Sequence, residues 1–238
     1  MLASDLDKVA RGRLRTLSKD NADGVARHLV MAGRLLDDDP ELAYAHAQAA
    51  VRRAGRVDVV REAAAITAYR TGRYAEALRE LRTVRRLNGS DEHLPLLADC
   101  ERGLGRPERA IAISQEDAAR ALPPEAQVEL AIVVSGARLD LGDPDAALAV
   151  LGTGAARSAQ GELAARVVEA RAAAYEAAGR FDEAKAELAL LPPGYLTDSG
   201  EDDVVVFDLE AEDGAEHDSN EGDVAADAGG ATGQEGAR

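Results

Sequence analysis

The sequence predicts an all-α fold, a stack of about five antiparallel helix pairs, on three observations. A helix-stop corner recurs at a near-constant interval. The apolar residues keep a helical period between corners. The composition supplies alanine and leucine where a sheet would need β-branched and aromatic residues. The clearest corner is Thr71-Gly72-Arg73-Tyr74-Ala75-Glu76-Ala77-Leu78. Glycine ends a helix readily because it takes the left-handed conformation at no steric cost. Tyr74 and Ala77 then open the next helix with a bulky residue followed three positions on by a small one. The corner returns at Gly105-Arg106-Pro107, Gly142-Asp143-Pro144 and Gly179-Arg180-Phe181, at intervals of 33, 37 and 37 residues. A degenerate copy around Asp38-Asp39-Pro40 precedes Gly72.

Hydrophobic residues make up 46% of the 238, but aromatics only 3%, and tryptophan is absent. A core of alanine, leucine and valine packs helices closely, and alanine costs least in a helix interior. No run of β-branched residues exceeds three. The net charge of −16 is unevenly distributed. Residues 196–238 hold 14 Asp or Glu against Arg238 alone, so the preceding 195 residues are nearly balanced. Such a tail cannot bury enough surface to fold alone. Its one apolar island is Val204, Val205, Val206, Phe207 and Leu209, expected to dock on the last hairpin or on a partner.

Residues 1–23 are expected to form an amphipathic capping helix, with Leu2, Leu6, Val9, Leu14 and Leu17 on one face and Lys8, Arg11, Arg13, Arg15 and Lys19 on the other. Residues 24–191 form the repeat array and 192–238 the acidic tail. In the first pair, Val25, Leu29 and Val30 mark one helix. Asp39 caps the second, with Pro40 in its first turn, where a missing N–H costs nothing. The second pair runs from Asp58 to Leu87 around Gly72, and Asn88-Gly89-Ser90 breaks the chain. The third carries Leu94, Leu97, Ala98 and Cys100 before Gly105. The fourth carries Val128, Leu130 and Leu139 before Gly142, and Leu148 and Leu151 after it. The fifth carries Val167, Ala172 and Tyr175 before Gly179, and Phe181, Ala184 and Leu188 after it. The 37-residue intervals call for longer helices or loops.

These hairpins resemble tetratricopeptide repeats, paired antiparallel helices with a period near 34 residues. The residues that carry the likeness are Ala65, Ala68, Gly72, Tyr74, Ala77, Leu81 and Val84 in the second unit and Ala98, Gly105, Pro107 and Ala110 in the third. In the fourth they are Gly142, Pro144, Ala147 and Leu151, and in the fifth Ala172, Tyr175, Gly179, Phe181, Ala184 and Leu188. No unit has the family's tryptophan. The resemblance implies a right-handed superhelical solenoid in which small residues such as Ala68 and Ala77 let helices cross closely, while Tyr74 and Phe181 plug gaps. It also implies a concave groove lined by the first helix of each pair. His28, Glu62, Tyr69, Arg70, Asp99, Arg102, Glu129, Asp140 and Arg166 are the groove candidates, with Glu169 and Glu176 beside them.

Reactive chemistry is not expected. Asp37-Asp38-Asp39 lacks the spacing and glycine of a calcium loop. Gly152-Thr153-Gly154 follows a helix and lacks the Gly-Lys-Ser/Thr ending of a phosphate loop, so it reads as a linker. His28, His46, His93 and His217 have no histidine or cysteine neighbour at ligand spacing, so no metal and no cofactor are expected. Cys100 is alone, which permits no internal disulfide. No apolar run is long enough to span a bilayer, and a cytoplasmic location is expected. The function expected is a non-enzymatic scaffold that binds a protein or peptide partner, with the tail modulating binding. The alternative is a nucleic-acid- or ribosome-associated accessory using the basic N-terminal segment and an arginine-rich outer face (Arg52, Arg53, Arg56, Arg79, Arg82, Arg85 and Arg86), although nucleic acid is disfavoured by the near-neutral body.

Overall fold

The computed structural model describes residues 2–193 and Tyr195, and every regular element among them is a helix. The apolar island of the tail lies outside the described residues. In chain order the helices are α1 (Lys8–Arg13), α2 (Lys19–Arg34), α3 (Pro40–Ala54), α4 (Asp58–Arg70), α5 (Tyr74–Asn88), α6 (Leu94–Gly103) and α7 (Pro107–Ser114). They continue with α8 (Asp117–Arg120), α9 (Pro124–Asp140), α10 (Pro144–Leu151), α11 (Gly154–Arg157), α12 (Gly161–Ala177) and α13 (Phe181–Leu188). Five pairs pack together: α2 with α3, α4 with α5, α6 with α7, α9 with α10 and α12 with α13. Each corner is short enough to force its two helices antiparallel. The second helix of each pair also packs on the first helix of the next, and α9 packs on both α6 and α12.

The four corner glycines share one geometry. Gly72, Gly105, Gly142 and Gly179 have φ between 69° and 73°. After Gly72, the Arg73 N–H donates back to the Ala68 carbonyl (2.8 Å), while the Gly72 N–H donates to Tyr69 (2.9 Å). The same pair of bonds recurs from Arg106 to Glu101, Asp143 to Arg138 and Arg180 to Tyr175. This double closure satisfies carbonyls that a helix end leaves unpaired. The residue after each glycine both closes the preceding helix through this bond and serves as the N-cap of the next. The first corner lacks glycine and uses Asp39, whose carboxylate accepts from the Leu42 N–H at 3.0 Å. The longer intervals have a specific origin. The extra residues lie in the first helices, since α9 and α12 have 17 residues each against 10 in α6, while the short helices α8 and α11 follow second helices of only 8 residues where α5 runs on for 15.

About half of the buried apolar side chains are alanine. Ala64, Ala65, Ala68 and Ala77 are completely buried where α4 crosses α5 and its neighbours. The larger residues Leu78, Leu81, Leu94, Leu97, Leu130 and Val134 join the middle pairs into one core. Tyr74 lies over the end of α6, where Gly103 leaves room for its ring.

Two expectations need correction. The first twenty residues are not one helix. Asp7 accepts from the N–H groups of Val9 (2.8 Å) and Ala10 (3.1 Å), so a new helix starts there, and α1 gives way to a 3-10 turn at Leu14–Thr16. Leu14 is buried against Val25, Leu29 and Val60, while Leu2 and Val9 are exposed. Phe181 does not plug a gap as Tyr74 does. It is 69% exposed, because among the described residues no helix follows α13 to receive it.

Two glycine substitutions should have opposite signs. A Cβ on Gly103 would lie 2.6 Å from Tyr74 Cδ2, so Gly103→Ala is expected to destabilise by about 1–3 kcal/mol. At Gly12 in α1 the space is open, and Gly12→Ala is expected to stabilise by up to about 1 kcal/mol. Urea unfolding of the two variants checks both.

Candidate functional site

The expected groove residues fall on the first helices of the pairs, and the structure joins several of them into a polar seam. Tyr69, near the end of α4, donates its hydroxyl to Asp99 on α6. Asp99 also accepts from Arg102 Nη1 at 3.0 Å, and Arg102 Nε donates to Asp140 at the end of α9 at 2.7 Å. Further along, Arg166 on α12 donates to Glu129 on α9. Toward the N-terminus, Arg70 donates to Asp37 in the corner between α2 and α3. The seam thus steps from pair to pair, and its links between pairs span 30 to 38 residues, close to one repeat.

Local packing sets the charge states. Burial, and then the bond to Asp99, push the Tyr69 phenol well above its ordinary range, so it remains a donor. Burial pulls the Arg102 guanidinium down, but Asp140 and Asp99 outweigh it and hold the group charged. Arg102 lies directly on Gly136 of α9, where a Cβ would meet the guanidinium carbon at 2.8 Å. Beside this network is a cleft of about 490 Å³ lined by Tyr74, Asp99, Arg102, Pro107, Glu108 and Asp140. Three carboxylates face one guanidinium there.

The remaining candidates are not part of this cleft. Glu62 meets His93 at the start of α6, with 3.5 Å between Oε1 and Nε2. Burial raises the Glu62 carboxyl, against the pull of His93. His28 meets His46 on α3, their Nδ1 atoms 2.9 Å apart, although their spacing along the chain is not that of a ligand pair. These residues are 18 positions apart, and only the closing of the first hairpin brings them face to face. Cys100 is buried, and burial, helped by Asp99 and Glu101, pushes its thiol up to about 12.

Sequence reasoning missed a second set of links, on the second helices. Glu76 accepts from Tyr44 Oη and Gln48 Nε2, both at 2.8 Å, and Arg73 grips Glu41 with two bonds of 2.9 Å while lying over the Tyr44 ring. The arginines expected on an open outer face are partly engaged. Arg82 donates to the fully buried Glu101 at 2.8 Å, and Arg85 pairs with Asp91 and Glu116. Opposite charges one repeat apart, as in Glu41/Arg73 or Asp37/Arg70, were the available signal.

No family model matches the chain, and no curated protein matches it. The geometry is therefore the basis for any functional reading.

Tyr69→Phe removes a hydrogen bond to a charged acceptor and should cost about 1.5–3 kcal/mol in chemical unfolding. A second expectation concerns pH. Burial depresses His28 below its ordinary 6.5, aided by His46, Arg53 and Arg52 from α3 and by Arg27 on its own helix. The unfolded chain then binds more protons than the folded one. The stabilisation is full above the ordinary imidazole range and is lost as pH falls through it. Melting temperature should fall on acidification from about pH 7.5 to about 5.5, and His28→Gln should flatten that slope.

Proposed function

We propose that this chain is a non-enzymatic protein-interaction scaffold of the tetratricopeptide type, a right-handed solenoid of five helix pairs acting in the cytoplasm. The partner segment lies along the first-helix face and places a cationic side chain in the cleft between α6, α7 and α9. The observation that carries this reading is the charge of that cleft. Asp99, Asp140 and Glu108 line it, and Arg102 is already bonded to the first two.

Three further features support it. The four corners share the same glycine geometry, and polar links cross between pairs at intervals near one repeat, as a stacked array requires. The lone thiol is buried and held protonated, which makes it a poor nucleophile. Among the described residues no helix is long and apolar enough to cross a membrane. The tail, with its 14 carboxylates, competes with the cleft for basic segments and so modulates binding at low salt. The nucleic-acid alternative has less support, since Arg79, Arg82 and Arg85 of the outer face each have a carboxylate partner, which leaves Arg52, Arg53, Arg56 and Arg86 for a phosphate backbone.

An array of short peptides graded in net charge tests the proposal. The full chain should retain basic segments over acidic ones. Glu108→Arg, at an exposed position outside the hydrogen-bonded network, should weaken retention about tenfold, with only the small loss of melting temperature that a cation in the first turn of α7 brings. Equal retention of acidic and basic peptides, or no effect of the substitution, would overturn it.

A further inference from the structure

A second cluster lies away from the cleft, where α4 faces the turn leading into α6. Glu62 comes from α4, and Glu92 and His93 come from the turn. One ligand atom from each lies within 4.8 Å of the other two. His93 Nε2 is 3.5 Å from Glu62 Oε1 and 3.5 Å from Glu92 Oε1. Nε2 is itself buried and has no hydrogen-bond partner.

These distances suit a metal better than they suit hydrogen bonds. An N–H···O bond brings its heavy atoms to about 2.7–3.2 Å. Around a tetrahedral zinc ion, with bonds of about 2.0–2.2 Å, neighbouring donor atoms stand about 3.4 Å apart. The charge balance points the same way. Among the described residues Glu62 and Glu92 have no arginine or lysine ion-pair partner, and Arg13, whose charge reaches Glu62, pairs with Asp58. Two carboxylates converge on one buried imidazole nitrogen, and a divalent cation would satisfy all three.

The turn is also braced before any ligand arrives. Asn88 Oδ1 accepts from the Ser90 N–H at 2.9 Å, Gly89 turns the chain with φ +70°, and the Glu92 N–H donates to Ser90 Oγ at 3.3 Å. Arg85 Nε holds Asp91 at 2.6 Å. Adjacent residues 92 and 93 are thereby aimed together toward α4. The expectation of no metal rested on histidine and cysteine spacing alone. This donor set combines adjacent residues with a carboxylate 30 positions upstream, close to one repeat.

We propose that Glu62, Glu92 and His93 form a binding site for a divalent transition ion of the zinc class. Three protein donors leave one coordination position for water or for a side chain of a bound partner. The imidazole donor selects zinc over magnesium, which prefers an all-oxygen shell. His93 binds through Nε2 with its proton on Nδ1. The ion would tie the second pair to the third.

Zinc chloride titrated calorimetrically into the full chain, with magnesium chloride as control, tests the assignment. The expected result is one tight equivalent of zinc, distinct from weak binding by the acidic tail, and no matching event with magnesium. His93→Gln and Glu92→Gln should each lower the zinc affinity by about tenfold or more. Glu92 is an exposed turn residue, so its replacement leaves folding intact, which the metal-free circular-dichroism melt verifies. A wild-type chain that takes up no tight equivalent would overturn the proposal. So would a Glu92→Gln chain that binds zinc as tightly as wild type, since the cluster would then be an imidazolium held between two carboxylates.

Discussion

An interface lined with alanine lets two helices approach closely but gains little from each side chain, at about 0.8 kcal/mol per buried methyl-sized group. The rest of the structure follows from that constraint. Close approach demands that the corners hold their geometry, because a helix displaced by one residue would bring larger side chains into the gap. Four left-handed glycines with identical double closures supply that geometry. The modest apolar gain at each interface leaves room for polar links to matter. They occur where neighbouring pairs meet: Tyr69 to Asp99, Arg102 to Asp140 and Arg166 to Glu129 on one side, and Glu76, Glu41 and Glu101 with their partners on the other. Exposed pairs of this kind are individually worth at most about 1 kcal/mol. Those with a buried member, such as Glu101, are worth more, because losing the partner strands a charge.

This allocation changes how the first-helix face is to be understood. A row of exposed charges would attract any partner of opposite sign. Here most of them already bond to one another across the pairs, so a partner gains only from what remains unbalanced. That imbalance is local. In the α6–α9 cleft three carboxylates share one guanidinium, and Glu108 takes no part in the network. The charges that brace neighbouring pairs and the charge left over in the cleft are therefore neighbours, and exchanging one braced residue perturbs both.

The sequence made the repeat legible because glycine at a left-handed corner has few substitutes and its recurrence is visible at any period. It made the alanine crossings legible for the same reason, since small residues at fixed offsets from the corner have one evident use. The first twenty residues were misread because hydrophobic periodicity does not register a cap. Asp7 stops one turn and starts another without disturbing the spacing of Leu6 and Val9. Phe181 was misread because its role belongs to the following pair, not to its own. Tyr74 is covered only because Gly103 arrives one repeat later. The His28–His46 contact and the Glu62–His93 contact were invisible to spacing rules written for single helices, since each closes through a corner.

One relation unites these successes and failures. In a stack of helix pairs a residue has neighbours near i+34 as well as near i+4, so complementarity must be sought at the repeat interval too. Asp37 with Arg70, Glu41 with Arg73, Glu129 with Arg166 and Arg102 with Asp140 all obey it. Glu62 with Glu92 and His93 obeys it too, but there the offset joins like charges around an imidazole instead of opposite ones. There the proposed divalent ion would supply the positive charge that an arginine supplies in the other links. The same periodicity that explains how neighbouring pairs are linked thus marks a place, in addition to the α6–α9 cleft, where carboxylates outnumber the cations that face them.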